Sequence, residues 1–245
     1  DDRSQSWSSD CTPRRAEPRA EDPRNRMSHE VSSDLPKLGE REYVQGGTIF
    51  NGIVAACDEA FGPQWLPAAE ISSFKLEREA RANGRILVGD EPLGDLDPHA
   101  TFAARCDGRS VHGVFLDEGA AFRREPYDEE SFYRAIEAGD DLNGVFELAG
   151  AEPSRDFIKG IVGANKHLHQ RTTLFGGSLQ KVQFLYLKGL AGACIAQAAE
   201  VDRVRITNLT VKEVDSEVWT ISRVDVERSG ATSSFRICYR ALKGA

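Results

Sequence analysis

Two short stretches of this sequence carry the polar side chains best suited to chemistry. In the first, the acidic pair Asp58 and Glu59 lies near the end of a run of small and apolar residues. In the second, Asn165 and His169 are four residues apart, so they share one face of a helix. A carboxylate beside an apolar surface suits a general base near neutral pH, and an imidazole titrates in the same range. The residue types therefore predict acid–base chemistry, with Asp58 or Glu59 as the base and His169 as the alternative.

The same residues also fit purely structural roles. Asp58 and Glu59 would then face solvent or bond to a neighbouring strand. His167 and His169 would lie on a solvated face at the C-terminal end of their helix, where the dipole favours cations. Asn51 is polar on an apolar helix, so it either orients water or a substrate carbonyl, or it caps a local backbone group. The sequence leaves both interpretations open.

Composition excludes several classes of function. The net charge is −8, which argues against general binding to nucleic acid. The five cysteines are scattered without a C-x-x-C pair, so they predict free thiols in a reducing cytoplasm and no metal site. No apolar run approaches the roughly 20 residues of a membrane span, and without an apolar h-region the first 26 residues are not predicted to be a secretory signal. The motifs of serine hydrolases, P-loop proteins and dinucleotide-binding proteins are absent too, so no cofactor is predicted.

The acidic pair belongs to a helix predicted over residues 48–61. Its apolar residues recur with helical period, its other face is small, and Gly62-Pro63 ends it, so we expect it to be buried on every side. A strand over residues 39–44 precedes it. A β meander follows over residues 69–81, 85–89, 100–106 and 109–116, with hairpin turns at Asn83-Gly84 and Asp107-Gly108.

The pattern then begins again in the second half. A surface helix is predicted over residues 128–138, and a second buried helix over residues 157–174, ended by Gly176-Gly177. Strands over residues 182–187, 201–211, 218–227 and 232–242 complete the chain, the last hairpin turning at Ser229-Gly230. Each half therefore has a long helix followed by an antiparallel meander.

This order and the start of the first helix resemble the hotdog superfamily. Residues 47–52 (GTIFNG), followed by Asp58-Glu59-Ala60, resemble the helix start of hotdog acyl-CoA thioesterases, whose pattern is close to G-[TD]-[IL]-F-G-G followed by Asp-Glu-Ala. Residues 45–47 (QGG) resemble the His-Gly-Gly of another thioesterase branch, with Gln in place of His. Two departures are Asn51 in place of glycine and an acidic residue that falls one position early.

The resemblance implies an α+β fold, a double hotdog in which two curved antiparallel sheets each wrap a long buried helix. The first unit would comprise residues 39–120 and the second unit residues 154–245. Residues 121–153 would form a linker with a surface helix. Residues 1–38 would form a disordered leader, because their first 26 residues are rich in Ser, Pro and charge. The protein would be a monomeric pseudo-dimer or a homodimer.

The resemblance also implies an enzyme that acts on acyl thioesters of CoA or of an acyl carrier protein. A thioesterase of fatty-acid or polyketide metabolism is the first expectation. The carbonyl would sit at the helix N-terminus, where free N–H groups favour an oxyanion. The residues implied in substrate binding are Gln45, Gly46, Gly47, Thr48 and Asn165.

Three alternatives to hydrolysis stay open. His169 paired with Asp58 across the two units would resemble the His and carboxylate pair of hotdog dehydratases. Acyl transfer with decarboxylation is the second alternative. A non-catalytic acyl-binding protein is the third.

Overall fold

The computed structural model describes residues 28–139, 142–175 and 179–243. Residues 1–27 of the predicted leader and the predicted break at Gly176-Gly177 lie outside them. The remainder of the leader contains regular structure, because Ser28–Ser32 forms a strand that pairs with Asn83–Gly89. The prediction of disorder is therefore wrong for this segment.

The described helices and strands follow one another in an order close to the predicted one. The first half contains β1 (Ser28–Ser32), β2 (Lys37–Leu38), α1 (Gly46–Phe61), α2 (Trp65–Ala68), β3 (Glu70–Leu76), β4 (Asn83–Gly89), β5 (Ala100–Cys106), β6 (Arg109–Ala120) and β7 (Arg124–Glu125). The second half contains a 3-10 helix (Glu129–Phe132), β8 (Tyr133–Ala138), β9 (Gly144–Leu148), α3 (Pro153–Arg171), β10 (Leu179–Lys188), β11 (Leu190–Ala191), α4 (Gly192–Ala196), a second 3-10 helix (Ala198–Glu200), β12 (Arg203–Val214), β13 (Glu217–Arg228) and β14 (Ala231–Lys243).

Strands from both halves join in one antiparallel sheet. Its strand order is β1-β4-β6-β5-β3-β10-β14-β13-β12-β9-β8, and β11 also pairs with β3. The two halves meet where β3 pairs with β10, with Phe74 opposite Leu187. A large antiparallel sheet with few helices fits the hotdog fold that the resemblance implies.

α1 packs on the first half of the sheet through an apolar face. Ile49, Phe50 and Ile53 are completely buried, and their spacing places them on one side of the helix. The sheet approaches closely at Gly113, where a Cβ atom would lie 2.7 Å from Cγ2 of Ile53. The predicted helix over residues 48–61 is confirmed. The expectation of burial on every side is wrong, because Ala55 is exposed.

α3 packs on the second half of the sheet and touches α1 near the N-termini of both helices. The side-chain amide of Asn51 donates to the backbone oxygen of Arg155 at 2.6 Å. One turn earlier in α1, a Cβ atom on Gly47 would lie 3.5 Å from Ile158. From the first of these contacts to the second, the residue number falls in α1 and rises in α3. The two helices are therefore antiparallel.

Three local predictions are wrong because long-range pairing replaces them. Residues 128–138 form a 3-10 turn and the edge strand β8, which pairs with β9, where a surface helix was expected. Residues 39–44 contribute only the isolated bridge from Val44 to Ala80.

Asn83-Gly84 begins β4 and does not form a hairpin turn, because β4 pairs with β6 and β1. The Asn83 side chain instead accepts from the N–H of Leu35 at 2.9 Å and donates to the carbonyl of Ala121 at 3.1 Å.

The remaining predicted strands are present, although the one predicted over residues 69–81 ends at Leu76. β5 and β6 form the expected hairpin, with Asp107 and Gly108 both at positive φ. β12, β13 and β14 form the expected closing meander, and Ser229 and Gly230 are at positive φ in its last turn. The signals that predict these strands are turns of two residues and alternating apolar residues, and both signals are local in sequence.

Candidate active site at the start of the first helix

The N-terminus of α1 is buried and lacks a side-chain cap. Gln45 precedes the helix in an extended conformation, but its side chain makes no capping hydrogen bond, and the first turn holds no acidic residue. The N–H of Ile49 donates to the carbonyl of Gln45 at 3.0 Å. The N–H groups of Gly46, Gly47 and Thr48 therefore have no acceptor within the helix. Because the helix dipole is positive at this end, the terminus favours negative charge.

A small pocket of about 30 Å³ opens at this terminus. Its walls come from the segment before α1, the first 3-10 helix, α3 and β10. The lining residues are Arg41, Tyr43, Gln45, Gly46, Gly47, Glu129, Val162, Lys166, Val182, Gln183 and Phe184. The volume accommodates about one or two water-sized groups. The structure thus brings three predicted binding residues together here, and Thr48 follows them in the helix.

Charged side chains surround this pocket. The Glu129 carboxylate forms an ion pair with Lys166 and lies 3.4 Å from the Arg41 guanidinium. With its amide oxygen turned toward Arg41, Gln45 accepts from Nε at 3.0 Å. On the opposite wall, Gln183 accepts from Arg240 at 2.8 Å. The glutamate is 18% exposed, so the network is largely shielded from bulk water.

Three tyrosines lie in or close to this network. Burial raises the pKa of Tyr43, which lines the pocket. Burial also raises the pKa values of Tyr127 and Tyr239, and the charge of Glu129 acts on both in the same direction. Neither of these two hydroxyls has a hydrogen-bond partner among the described residues. Neutral phenols near a carboxylate and a helix N-terminus are hydrogen-bond donors.

Asp58 and Glu59 lie at the other end of α1. Asp58 is eleven residues beyond Gly47, which corresponds to about 16 Å along the helix axis. Burial raises the pKa of Asp58. Glu59 is exposed and lies 3.4 Å from His29. Both carboxylates therefore lie far from the helix N-terminus, and their role as a general base stays a prediction.

His169 and Asn165 point into the interior under α3. His169 is 1% exposed, its Nδ1 lies 2.8 Å from the Asn165 carbonyl and its Nε2 lies 2.7 Å from Oγ1 of Thr220. Burial lowers its pKa to about 4. The expectation of a solvated face is wrong for His169. His167 is half-buried and packs edge-on against the ring of Tyr133.

The predicted pair of His169 with Asp58 does not form. Asp58 lies eleven residues beyond Gly47 and His169 lies eleven residues beyond Ile158, and the two helices diverge from the contact between Gly47 and Ile158. Measured along the helix axes, each residue is thus about 16 Å from that contact, and the two residues lie in opposite directions from it. The structure separates the two groups that the dehydratase interpretation would require together.

The two remaining predicted residues, Asn51 and Asn165, do not line the pocket. Asn165 does not line the pocket, although its neighbour Lys166 does. The Asn51 side-chain amide donates to the backbone of α3, and its role toward a substrate stays a prediction. Sequence reasoning missed Glu129 and Arg41, because it placed Glu129 in a surface helix. One signal for a polar pocket was available in the sequence. Residues 165–167, which include Lys166, are polar on an otherwise apolar helix.

No protein-family model matches the sequence, and no curated protein matches it. Among the described helices, none is both long and apolar enough to cross a bilayer.

Several solved structures are similar to this one over most of its length. The dehydratase domain of PpsC from Mycobacterium tuberculosis, in complex with C12:1-CoA, is 11% identical, with 90% of this chain and 96% of that chain covered and a TM-score of 0.49. A conserved protein of unknown function with a hot dog fold from Alicyclobacillus acidocaldarius is 10% identical, covering 89% and 93%, with a TM-score of 0.46. A tesB protein of Mycobacterium avium subspecies paratuberculosis is 8% identical, covering 89% and 93%, with a TM-score of 0.44.

Proposed function

We propose that this protein is an enzyme acting on acyl thioesters of CoA or an acyl carrier protein, and that the reaction is hydrolysis. The observation that carries the proposal is the buried, uncapped N-terminus of α1, which opens on the same pocket as Glu129. Backbone N–H groups at such a terminus stabilise the oxyanion that forms when a thioester carbonyl is attacked. Gly46 and Gly47 let the thioester approach the backbone closely.

In the proposed reaction, Glu129 replaces Asp58 and Glu59 as the general base. A water oxygen attacks the carbonyl carbon while the Glu129 carboxylate takes one water proton. The N–H groups of Gly47 and Thr48 donate to the oxyanion. The carbon–sulfur bond then breaks, and Glu129 returns the proton to the thiolate, which leaves a free acid and a free thiol. Lys166 and Arg41 hold the carboxylate in place.

We also propose that residues 39–120 and 154–245 form two hotdog units, joined as a pseudo-dimer. The pairing of β3 with β10 and the contact of α1 with α3 support this division. Residues 121–153 are then more than a linker, because β8 and β9 extend the sheet beside β12.

The test is incubation of the full chain with a panel of acyl-CoA and acyl-pantetheine thioesters, followed by mass spectrometry of every product. We expect free acid and free thiol. Loss of water from a 3-hydroxyacyl thioester would identify a dehydratase, and loss of carbon dioxide an acyltransferase with decarboxylation. Retention of a thioester without turnover would identify a non-catalytic acyl-binding protein.

The role of Glu129 has its own test. Glu129→Gln keeps the shape of the side chain but removes the base, so we expect kcat to fall by about 10²-fold or more. Glu130→Gln is the matched control, because Glu130 is the exposed neighbour in the same 3-10 helix. Equal kcat values for the two variants would exclude Glu129 as the base.

A further inference from the structure

The two halves of the chain carry opposite excess charge. Basic side chains outnumber acidic ones in residues 154–245, whereas acidic side chains outnumber basic ones in residues 39–120. The net charge of −8 hides this polarity. Two exposed surfaces, both on the face of the sheet that points away from α1 and α3, show where the opposite charges lie.

The first surface contains a row of cations across β10, β14 and β13. Lys188 lies directly opposite Arg236, which lies directly opposite Arg223, and all three are exposed. They point away from α3, because Thr220 lies on the other face of β13 and bonds to His169 of that helix. Like charges directly opposite each other on neighbouring strands are destabilising, so this row favours an anionic partner.

Most of this positive charge is not neutralised within the chain. Arg223 is paired with Asp225 at 3.0 Å, but Lys188 and Arg236 form no ion pair among the residues that the structure describes. Beside the row, Ile221 is 39% exposed on the same face of β13. The neighbouring strand β12 adds two more exposed cations on this face. The cationic surface thus consists of Lys188, Arg205, Lys212, Arg223 and Arg236 around Ile221.

The second surface is the acidic loop, residues 90–97 (DEPLGDLD), between β4 and β5. A pocket of about 470 Å³ is enclosed between this loop and the outward-facing residues Thr101 and Val114, so the loop lies over the outer face of β5 and β6. Leu96 of the loop is 39% exposed. The loop therefore has an apolar residue among carboxylates, as the cationic surface has an apolar residue among cations. The exposed carboxylates are Asp90, Glu91, Asp95 and Asp97.

The two surfaces are equally far from the middle of the sheet. In the strand order, β5 and β6 follow β3 on one side, as β14 and β13 follow β10 on the other. One row of directly paired residues crosses these six strands: Val114, Thr101, Lys75, Tyr186, Cys238 and Ile221. The acidic loop lies over the Val114 end of this row, and Ile221 is the other end. A two-fold axis along the strands at the boundary of β3 and β10 would place each end over the opposite end of a second copy.

We propose that a second copy of this chain binds the outer face of the sheet, so that the acidic loop of each copy contacts the cationic surface of the other. Such an interface is isologous and closes at the dimer. The opposite charges steer the encounter and fix its register, and Leu96 and Ile221 supply apolar contact. No residue of the pocket at the start of α1 belongs to either surface, so the proposal does not rest on thioester chemistry.

The experiment is sedimentation velocity of the full chain at several protein concentrations and two salt concentrations. At about 20 mM NaCl we expect a species of twice the mass of the 27.0 kDa chain. At about 0.5 M NaCl the dissociation constant should rise by about tenfold or more, because salt screens exposed charges.

Charge reversal tests the two surfaces one at a time. Arg236→Glu in the cationic surface and Asp95→Arg in the acidic loop should each weaken dimerisation by about tenfold or more. Arg171→Glu and Glu200→Arg are the matched controls, since both residues are exposed outside the two surfaces and undergo the same change of charge. The controls should dimerise as the parent protein does.

A mixture of the two variants tests the pairing of the surfaces. In a heterodimer of Arg236→Glu with Asp95→Arg, one contact has its native charges and the other has both charges reversed. Both contacts are then attractive, so the mixture should dimerise about tenfold more tightly than either variant alone. Thermal unfolding verifies that each variant is folded.

Three results would overturn the proposal. They are a chain that stays monomeric at low salt, a dimer that Arg236→Glu weakens no more than Arg171→Glu does, and a mixture that dimerises no better than its components. A monomer that binds a labelled single-stranded oligonucleotide through Arg236 would assign the cationic surface to nucleic acid instead. Thioester turnover is measured separately, so a failure of this proposal is distinguishable from a failure of the proposed function.

Discussion

Acidification should destabilise this protein through one buried histidine. His169 is neutral inside the second half, where its ring bonds to the Asn165 carbonyl and the Thr220 hydroxyl. Burial lowers its pKa in the folded state from 6.5 to about 4. The unfolded chain therefore binds a proton at His169 between these two values while the folded chain does not. Stability contributed by the neutral ring is complete above pH 6.5 and is lost as the pH falls toward 4.

The size of this loss follows from the two pKa values. Proton linkage gives a decrease of about 2 kcal/mol at pH 5 and about 3 kcal/mol at pH 4, relative to pH 7. The assay is urea unfolding of the parent protein and of His169→Gln at pH 7 and pH 5. Glutamine does not titrate, so the difference in free energy of unfolding between the two proteins should shrink by about 2 kcal/mol at the lower pH. Subtraction cancels the contribution of groups that both proteins share, including Asp58.

A matched variant tests whether burial is the cause. Burial also lowers the pKa of His167, but this ring is only half-buried, so His167→Gln should change the pH dependence less than His169→Gln. A difference between parent and His169→Gln that stays constant from pH 7 to pH 5 would refute the assignment of His169 as a buried neutral ring.

Other predictions concern packing and the site. Asp58→Asn should leave thioester kcat within about twofold of the parent value, because Asp58 lies about 16 Å along α1 from the N-terminal pocket; a loss comparable to that of Glu129→Gln would restore Asp58 to the mechanism. Asn83→Ala should lower the free energy of unfolding by about 1–3 kcal/mol in urea titrations, since it leaves the partly buried N–H of Leu35 without its acceptor. Gly113→Ala should cost about 1–3 kcal/mol in the same assay, because the new methyl group would meet Ile53, and a neutral effect would mean that the helix can shift away from the sheet.

The predictable parts of the fold are those whose signals are local. The 3.6-residue period of Ile49, Phe50 and Ile53 is sufficient to define α1, and Asp107-Gly108 is sufficient to define a hairpin. Residues 128–138 mislead because their apolar spacing also fits a helix, whereas the edge of β9 supplies backbone partners that a local pattern does not contain. Asn83 misleads in the same way, since its side chain is used by chain segments 48 and 38 residues away.

The same distinction separates the two parts of the candidate site. The start of a helix is a local feature, so Gln45, Gly46 and Gly47 could be named from the sequence as an oxyanion site. The charges that act on it come from elsewhere, because Glu129 reaches the pocket only when its 3-10 helix packs on α3. Asp58, which is close to the glycine pair in sequence, lies about 16 Å away from the helix N-terminus along the axis of α1. The proposed base, Glu129, thus belongs to an element other than α1, so the pattern of α1 alone does not predict it.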